Sequence, residues 1–380
     1  MDQRRQDLFR LGSYDREVSE ILTQAFPGTK VASFEIDQLY CGTNRSAKVA
    51  VRYVDEKGPP SVFLKVAGGY FQRLSLLCLG ALYKEAELAV KKINLPFRHP
   101  ALYGGQIDKK SLFSLVVMED IDGKDSKINT PLDALEPEQA RFGLRELAKL
   151  HAAYWDKEDN DLKGLIGGWR LAKPLQVVSV VNLMRSVKSF YSLINEENAF
   201  TDSLREELLK SNPYILGDSQ RMDPVRLSRE FSRSALLYAS GTQTVLHGDP
   251  HIGNTYLQSG SGLGFFDLQL LRLGNWSHDV GYFLISSLTS DDRREHMEDL
   301  VEYYFDQLSL LGISPPDSSD GKRQILYTPA FGLVSWLHTL AFKHFQKQEY
   351  CLAMIGRFLS AYYDFETSAM FEKYHHRELL

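Results

Sequence analysis

Two segments near the start of the chain alternate apolar and polar residues with the period of a half-buried strand. Lys48–Val54 places Val49, Val51 and Tyr53 on one face, and Ser61–Ala67 does the same with Val62, Leu64 and Val66. Gly58-Pro59-Pro60 breaks the chain between them, which predicts an antiparallel pair. Leu82–Lys92 then reads as helix, ended by Asn94-Leu95-Pro96, and Ser114–Met118 is a short continuous apolar run suited to a buried strand. Strand, strand, helix, strand makes a small α+β unit. From about Glu136 the period lengthens. Leu144, Leu147, Ala148 and His151 recur at helical spacing behind the acidic start Glu136-Pro137-Glu138. Further helical stripes run through Leu333, Trp336, Leu337 and Leu340, and through Ile355, Phe358, Leu359 and Tyr362. The pattern therefore predicts two domains, 1–120 and 121–380, the second mainly helical except around residues 245–267. Gly312–Gly321 reads as a polar loop.

Composition narrows the function classes. With 380 residues, 43% of them hydrophobic, the chain can fill a packed core and is neither disordered nor repetitive. A net charge of -5 argues against a nucleic-acid binder, which needs a basic face for phosphates. Its three cysteines, Cys41, Cys78 and Cys351, lie far apart and cannot all pair, which fits a reducing cytoplasmic setting. The N-terminal residues lack the apolar core of a signal peptide, and the longest apolar stretches are too short to span a bilayer, so no membrane partner is expected.

The stretch Val245–Gln269 carries the densest chemistry. Val245-Leu246 can end a strand, and His247-Gly248-Asp249-Pro250 is then an irregular loop, since Pro250 donates no backbone hydrogen bond. Asn254–Gln258 and Leu263–Asp267 flank a turn-rich connection and predict a hairpin with position 258 opposite 263, and 254 opposite 267. That register brings Asn254, Asp267 and Asp249 to one point, three oxygen donors suited to a hard divalent cation. Three readings compete: a merely polar hairpin with capping residues; a metallohydrolase using His247 and His251; and phosphoryl transfer. Pro250 counts against a helical pair of zinc histidines. In the third reading Asp249 orients a hydroxyl while Asn254 and Asp267 hold Mg2+, because Asp-x-x-x-x-Asn followed by a later Asp is the spacing of a kinase catalytic loop and its metal partner.

Phosphoryl transfer demands a strand lysine and a helix acid in the first domain. Lys65 lies inside the alternating strand Ser61–Ala67, and Glu85 follows in the predicted helix. Cys41-Gly42-Thr43-Asn44-Arg45-Ser46 can turn over phosphates with its backbone N–H groups and hydroxyls, though it reads equally as an ordinary hairpin turn. No P-loop motif occurs.

With these residues in view, the chain resembles the aminoglycoside phosphotransferase and choline kinase superfamily, nearest its ecdysteroid-kinase-like branch. The likeness rests on HGDPHIGN at His247–Asn254, FDLQ at Phe266–Gln269, SHDVGYFL at Ser277–Leu284, VVMEDI at Val116–Ile121 and LAKLHAAYW at Leu147–Trp155. It implies a bilobal protein-kinase-like fold of α+β class, with a small β-rich N-lobe and a larger, mainly helical C-lobe. It also implies ATP and Mg2+ as cofactors and a small-molecule hydroxyl as acceptor. By position, Asp249 would be the catalytic base, and Asn254 and Asp267 the Mg2+ ligands. Lys65 would be the phosphate lysine, paired with Glu85 or Glu87. Gly42, Thr43, Asn44 and Ser46 would contribute to the phosphate turn, and Met118, Glu119 and Ile121 to an adenine hinge. Asp279 would tie its helix to the catalytic loop, and His151 would be a satisfied core histidine. The aromatic residues Phe331, Trp336, Phe342, Phe345, Phe358, Tyr362 and Tyr363 lean toward an apolar acceptor, steroid-like or acyl, although most suit a core role as well. A choline-type or aminoglycoside-type acceptor and a non-catalytic nucleotide-binding scaffold are the alternatives.

Overall fold

The computed structural model describes residues 14–41, 44–55, 57–122, 125–157, 161–162, 164–168, 173–195, 202–213, 215, 222–259, 262–342 and 346–373. The chain divides into two compact units. The first takes residues up to Leu95, His99–Lys127 and Phe266–Leu270, and the second takes Pro96–Arg98, Ile128–Phe265 and the chain from Leu271 onward. A short piece around Asp267, Phe266–Leu270, returns to the first unit.

In the first unit, helix α1 (Asp15–Ala25) precedes strands β1 (Val31–Cys41), β2 (Arg45–Tyr53) and β3 (Ser61–Val66). Helices α2 (Tyr70–Cys78) and α3 (Lys84–Lys91) and strands β4 (Leu102–Asp108) and β5 (Phe113–Glu119) follow. The five strands form one antiparallel sheet in the order β1-β2-β3-β5-β4, so β3 is central. Alternation along the strands decides the two faces. Val49, Val51, Val62, Leu64, Leu115 and Val117 pack with Val18 and Leu22 of α1 on one side. Ala86 and Ala89 of α3 pack with Val116 and Met118, beside Phe63, on the other. Lys65, in phase with Phe63, shares the α3 face. A lysine in a central strand is not the solvated edge charge that a lone strand lysine usually is.

The second unit begins with the end of β6 (Ser126–Ile128) and is mainly helical. Helices α4 (Pro137–Tyr154), α5 (Lys173–Asn195), α6 (Asp202–Ser211) and α7 (Pro224–Tyr238) lead to strand β7 (Thr244–Leu246). A single 3-10 turn, Ile252–Asn254, opens strand β8 (Thr255–Gln258), which pairs with β9 (Gly262–Phe265); β10 (Arg272–Gly274) pairs with β7. Helices α8 (Ser277–Ser287), α9 (Ser290–Leu310), α10 (Ser318–Ile325), α11 (Thr328–Ala341), α12 (Gln348–Asp364) and α13 (Thr367–Lys373) complete it. Local signals set the helix starts. Asp223 accepts hydrogen bonds from the N–H groups of Val225 and Arg226 at α7, with Pro224 in the first turn. Thr289 caps α9 through the N–H of Asp292. Every residue of α8 is buried, which makes it the axis of this unit.

Two expectations are corrected. The β8–β9 ladder pairs Gln258 with Gly262 and Thr255 with Phe265, one residue out of the predicted register, and includes neither Asn254 nor Asp267. The segment read as a polar loop, Gly312–Gly321, contains the start of α10, because Asp317 accepts from the N–H of Ser319 and caps a helix there. Among the described residues, no helix is long and apolar enough to cross a membrane.

The helical unit is cross-tied by a buried guanidinium. Arg357 of α12 donates to the carbonyl of Ser286 at the end of α8 (2.6 Å) and to that of Asp133 ahead of α4 (2.7 Å). Arg357→Met keeps the apolar stem but leaves both carbonyls without this donor, and the expected loss is about 3 kcal/mol. Urea unfolding of the two proteins measures it. An unchanged midpoint would mean the tie carries no stability.

Candidate functional site

The first unit gathers a lysine and two carboxylates. Lys65 Nζ lies 2.5 Å from Asp267 Oδ1 and 2.7 Å from Glu85 Oε2. Burial disfavours the lysine's charge, but Asp267 and then Glu85 more than offset it, and its pKa is raised. Glu85 is fixed from behind, its Oε1 accepting from the N–H of Leu268 (3.2 Å). Glu87 faces elsewhere, 3.5 Å from Lys109. Asp267 has φ 67, a left-handed conformation that Asp tolerates better than most residues. Its Oδ2 accepts from Gln269 Nε2 (3.4 Å), whose Oε1 in turn accepts from Asn44 Nδ2 (2.9 Å). Ser46 pairs with Lys65 in the β2–β3 register. Gly42 and Thr43 lie outside the described residues; with Asn44 they connect β1 to β2, whose ladder closes at Cys41 and Arg45.

The residues expected at a hinge end β5. Met118 is buried between Phe63 and Leu102. The N–H of Glu119 donates to the carbonyl of Ala101 (2.8 Å), and its Oε2 accepts from the N–H of Ala101 (3.0 Å). The carbonyl of Ile121 accepts from the Ser126 hydroxyl. Asp120, which sequence reasoning passed over, accepts from Ser61 Oγ (2.6 Å) and lies 3.2 Å from Lys48 Nζ, so it anchors this corner to the sheet.

In the second unit the loop after β7 is organised by Asp279 in the first turn of α8. Its Oδ2 accepts from the N–H of His247 (2.6 Å) and its Oδ1 from the N–H of Gly248 (3.1 Å). Gly248 has φ 83, a turn that glycine makes without strain. His151 Nε2 lies 3.3 Å from Asp279 Oδ2, and its Nδ1 is 2.7 Å from the Tyr304 hydroxyl, so this buried histidine is satisfied on both nitrogens. Burial works against the Asp279 charge, but His151 outweighs it and the carboxyl pKa is lowered. His278 approaches the Gly248 carbonyl through Nε2 (3.2 Å). The ring of His247 is fully buried between Phe97 and Phe265, a seat that does not suit a metal ligand.

Asp249 projects from this loop with about a quarter of its side chain exposed. Asn254, at the end of the 3-10 turn, donates from Nδ2 to the Asp249 carbonyl (2.9 Å) and to its Oδ2 (3.2 Å), leaving the amide oxygen of Asn254 for another partner. Arg272 in β10 is partly buried; burial lowers its pKa, while Asp249 and Asp279 favour its charge. Among the described residues, no group of three or more His, Cys, Asp or Glu is arranged to hold a metal. The structure therefore assembles Lys65, Glu85 and Asp267 in one unit and Asp249 with Asn254 in the other. Gln269, the link from Asn44 to Asp267, escaped the sequence reading although it closes the FDLQ motif.

A family model described as the ecdysteroid kinase-like family matches residues 79–311. No curated protein matches the chain. Among solved structures, the chain is similar to a choline kinase from Cryptosporidium parvum Iowa II at 13% identity and TM-score 0.48, covering 94% of this chain and 98% of that one. It is similar to the choline kinase LicA from Streptococcus pneumoniae at 13% and 0.45, covering 93% and 99%. An aminoglycoside-3'-phosphotransferase of type VIII matches at 17% and 0.42, covering 84% and 98%.

The histidine beside the loop makes stability depend on pH. Burial pushes the His278 pKa down to about 4 from an ordinary 6.5. Between those values the unfolded chain binds a proton that the folded protein refuses, so stability falls as pH falls through this window. From about pH 7 to about pH 5 the loss from this group is about 2 kcal/mol. Asp279, with its lowered pKa, adds a loss only below its ordinary 3.8. Urea unfolding across this range should show a shallower slope for His278→Gln than for the wild type. Parallel slopes would place the titration elsewhere.

Proposed function

The chain belongs to the ecdysteroid kinase-like family, and on that premise we propose that it is a small-molecule kinase moving the γ-phosphoryl group of ATP to an alcohol. The observation that carries the reading is Lys65, fixed between Glu85 and Asp267 on the central strand of the sheet. Phosphoryl transfer has a loose transition state, so catalysis is mostly positioning and charge neutralisation. A held lysine and a carboxylate beside it are the protein's share of that work. The donor set fits Mg2+, a hard cation that takes one or two protein oxygens and completes its shell with water and phosphate. Asp267 would offer its carboxylate and Asn254 the amide oxygen opposite the Nδ2 that donates to Asp249. ATP and Mg2+ together supply the transferable phosphoryl group and neutralise its charge.

The remaining roles follow from the residues. Lys65 exchanges part of its contact with Asp267 for phosphate oxygens, while Glu85 keeps it in place. Asn44 and Ser46, with Gly42 and Thr43, would line the phosphate turn; Met118, Glu119 and Ile121 would border the adenine. Asp249 receives the acceptor's hydroxyl proton late in transfer, and a positioned base of this kind contributes about 10²–10⁴-fold. For the acceptor we favour an apolar alcohol, steroid-like or acyl, because Trp336 lies edge-on to His251, two residues from Asp249, and gives that loop an apolar neighbour. Free thiols at Cys78 and Cys351 fit a reducing compartment, and we place the reaction in the cytoplasm.

The two aspartates separate the roles. Asp267→Asn should weaken Mg-ATP binding and turnover together, whereas Asp249→Asn should leave Mg-ATP affinity nearly intact while turnover falls by about 10²-fold or more. Calorimetric titration of Mg-ATP measures the first quantity. ADP release over a panel of sterols, acyl alcohols, choline and aminoglycosides measures the second and identifies the acceptor. Binding without transfer to any of them would favour a nucleotide-binding scaffold, and full turnover by Asp249→Asn would overturn the assignment of the base.

A further inference from the structure

His251 is the histidine of the loop to which the proposed reaction gives no task. Its Nδ1 accepts a hydrogen bond from the N–H of Gly253 (3.0 Å), so that nitrogen carries no proton. In the neutral ring the proton then sits on Nε2, and Nε2 is 3.7 Å from Asp249 Oδ2. Asn254 Nδ2 addresses that same oxygen from 3.2 Å. The ring has close neighbours. Trp336 meets it edge-on, centroids 5.1 Å apart at 81°. On the other side, a Cβ at Gly253 would lie 2.9 Å from His251 Cε1 and 3.0 Å from both its Nδ1 and Pro131 Cδ. The ring therefore lies close over the glycine at 253, where any side chain would press on it.

We propose that His251 is a positioning residue for Asp249: its Nε2–H and the Asn254 amide grip Oδ2 together and set the rotation of the carboxylate toward the acceptor. This rests on the reading of Asp249 as the base. The 3.7 Å separation is long for a hydrogen bond, and catalytic contacts of this kind tighten when substrate binds. No proton moves to or from His251 in this role; the ring stays neutral and acts through direction alone.

The competing account is purely local, because His251 also caps the 3-10 turn Ile252–Asn254. Two substitutions divide the accounts. His251→Asn places an amide oxygen near the Nδ1 position and keeps the cap, but is too short to reach Asp249. His251→Gln can place an amide N–H near the Nε2 position. Expected are an unchanged melting temperature for His251→Asn, a kcat lower by about 10-fold or more with the KM for Mg-ATP within about 2-fold, and recovery of most of that kcat in His251→Gln. Wild-type kcat in His251→Asn overturns the proposal. A second measurement needs no turnover: long-range 1H–15N spectra of the histidine rings, with the His251 signals assigned through His251→Asn. The neutral Nε2–H tautomer, with its resonance moved by Asp249→Asn, supports the contact. An Nδ1–H tautomer, or a resonance indifferent to Asp249→Asn, overturns it. If the wild type transfers phosphate to nothing, the kinase reading fails on its own, and the spectra still decide whether His251 holds Asp249.

Discussion

A carboxylate with no exposed surface holds the helical unit's chemistry in place. The loop after β7 satisfies part of its own backbone, the N–H of His251 donating to the Asp249 carbonyl, but at its start Gly248 turns through a left-handed conformation and leaves no strand partner. The buried N–H groups of His247 and Gly248 must therefore find acceptors elsewhere, and leaving them unmade would cost about 1–3 kcal/mol each. Asp279 accepts both. It does so from the first turn of α8, where the helix dipole favours a negative charge, and α8 is buried along its whole length. His151 and Tyr304 complete the chain of hydrogen bonds behind it. The backbone leading into Asp249 is thus held by a helix far along the chain, while Asn254 holds Asp249 itself from within the loop.

How much of this could be read beforehand depended on whether a feature was local. The alternation in Ser61–Ala67 marks β3 because each residue's face follows from its neighbours. The hairpin register did not follow, since Gly262 has the composition of a turn yet enters the ladder at φ 109 opposite Gln258. A slip of one residue in a strand reverses every face, so an argument that needs Asn254 and Asp267 opposite one another fails with it. The choice between Glu85 and Glu87 was likewise out of reach. Two residues apart on a helix they point in nearly opposite directions, and the packing of Ala86 and Ala89 on the sheet decides which one turns toward Lys65. Helix α10 hid behind its own cap, because the Ser and Asp residues that make Gly312–Gly321 look like a loop are the ones that start helices. That Asp249 and Asn254 meet was legible from their spacing, since two residues so near in one loop stay close whatever packs around them.

The two charged clusters share one arrangement, which bears on what each carboxylate is for. In the first unit a partly buried lysine faces Glu85 and Asp267; in the second a partly buried arginine, Arg272, has its charge favoured by Asp249 and Asp279. Each places one cation in the field of two carboxylates, by direct ion pairs at Lys65 and at longer range at Arg272. In each, one carboxylate is buried and spends itself on backbone N–H groups: Glu85 on Leu268, Asp279 on His247 and Gly248. The other remains about a quarter exposed, Asp267 at 26% and Asp249 at 27%. Burying a charge is costly unless its partners never leave, which confines Glu85 and Asp279 to structural work. A partly solvated carboxylate can change partners at far lower cost, because water replaces what it gives up. Asp267 and Asp249 are therefore the members of the two clusters freest to change partners, which is what the proposed reaction asks of them, while Glu85 stays on Lys65 and Asp279 on its backbone N–H groups.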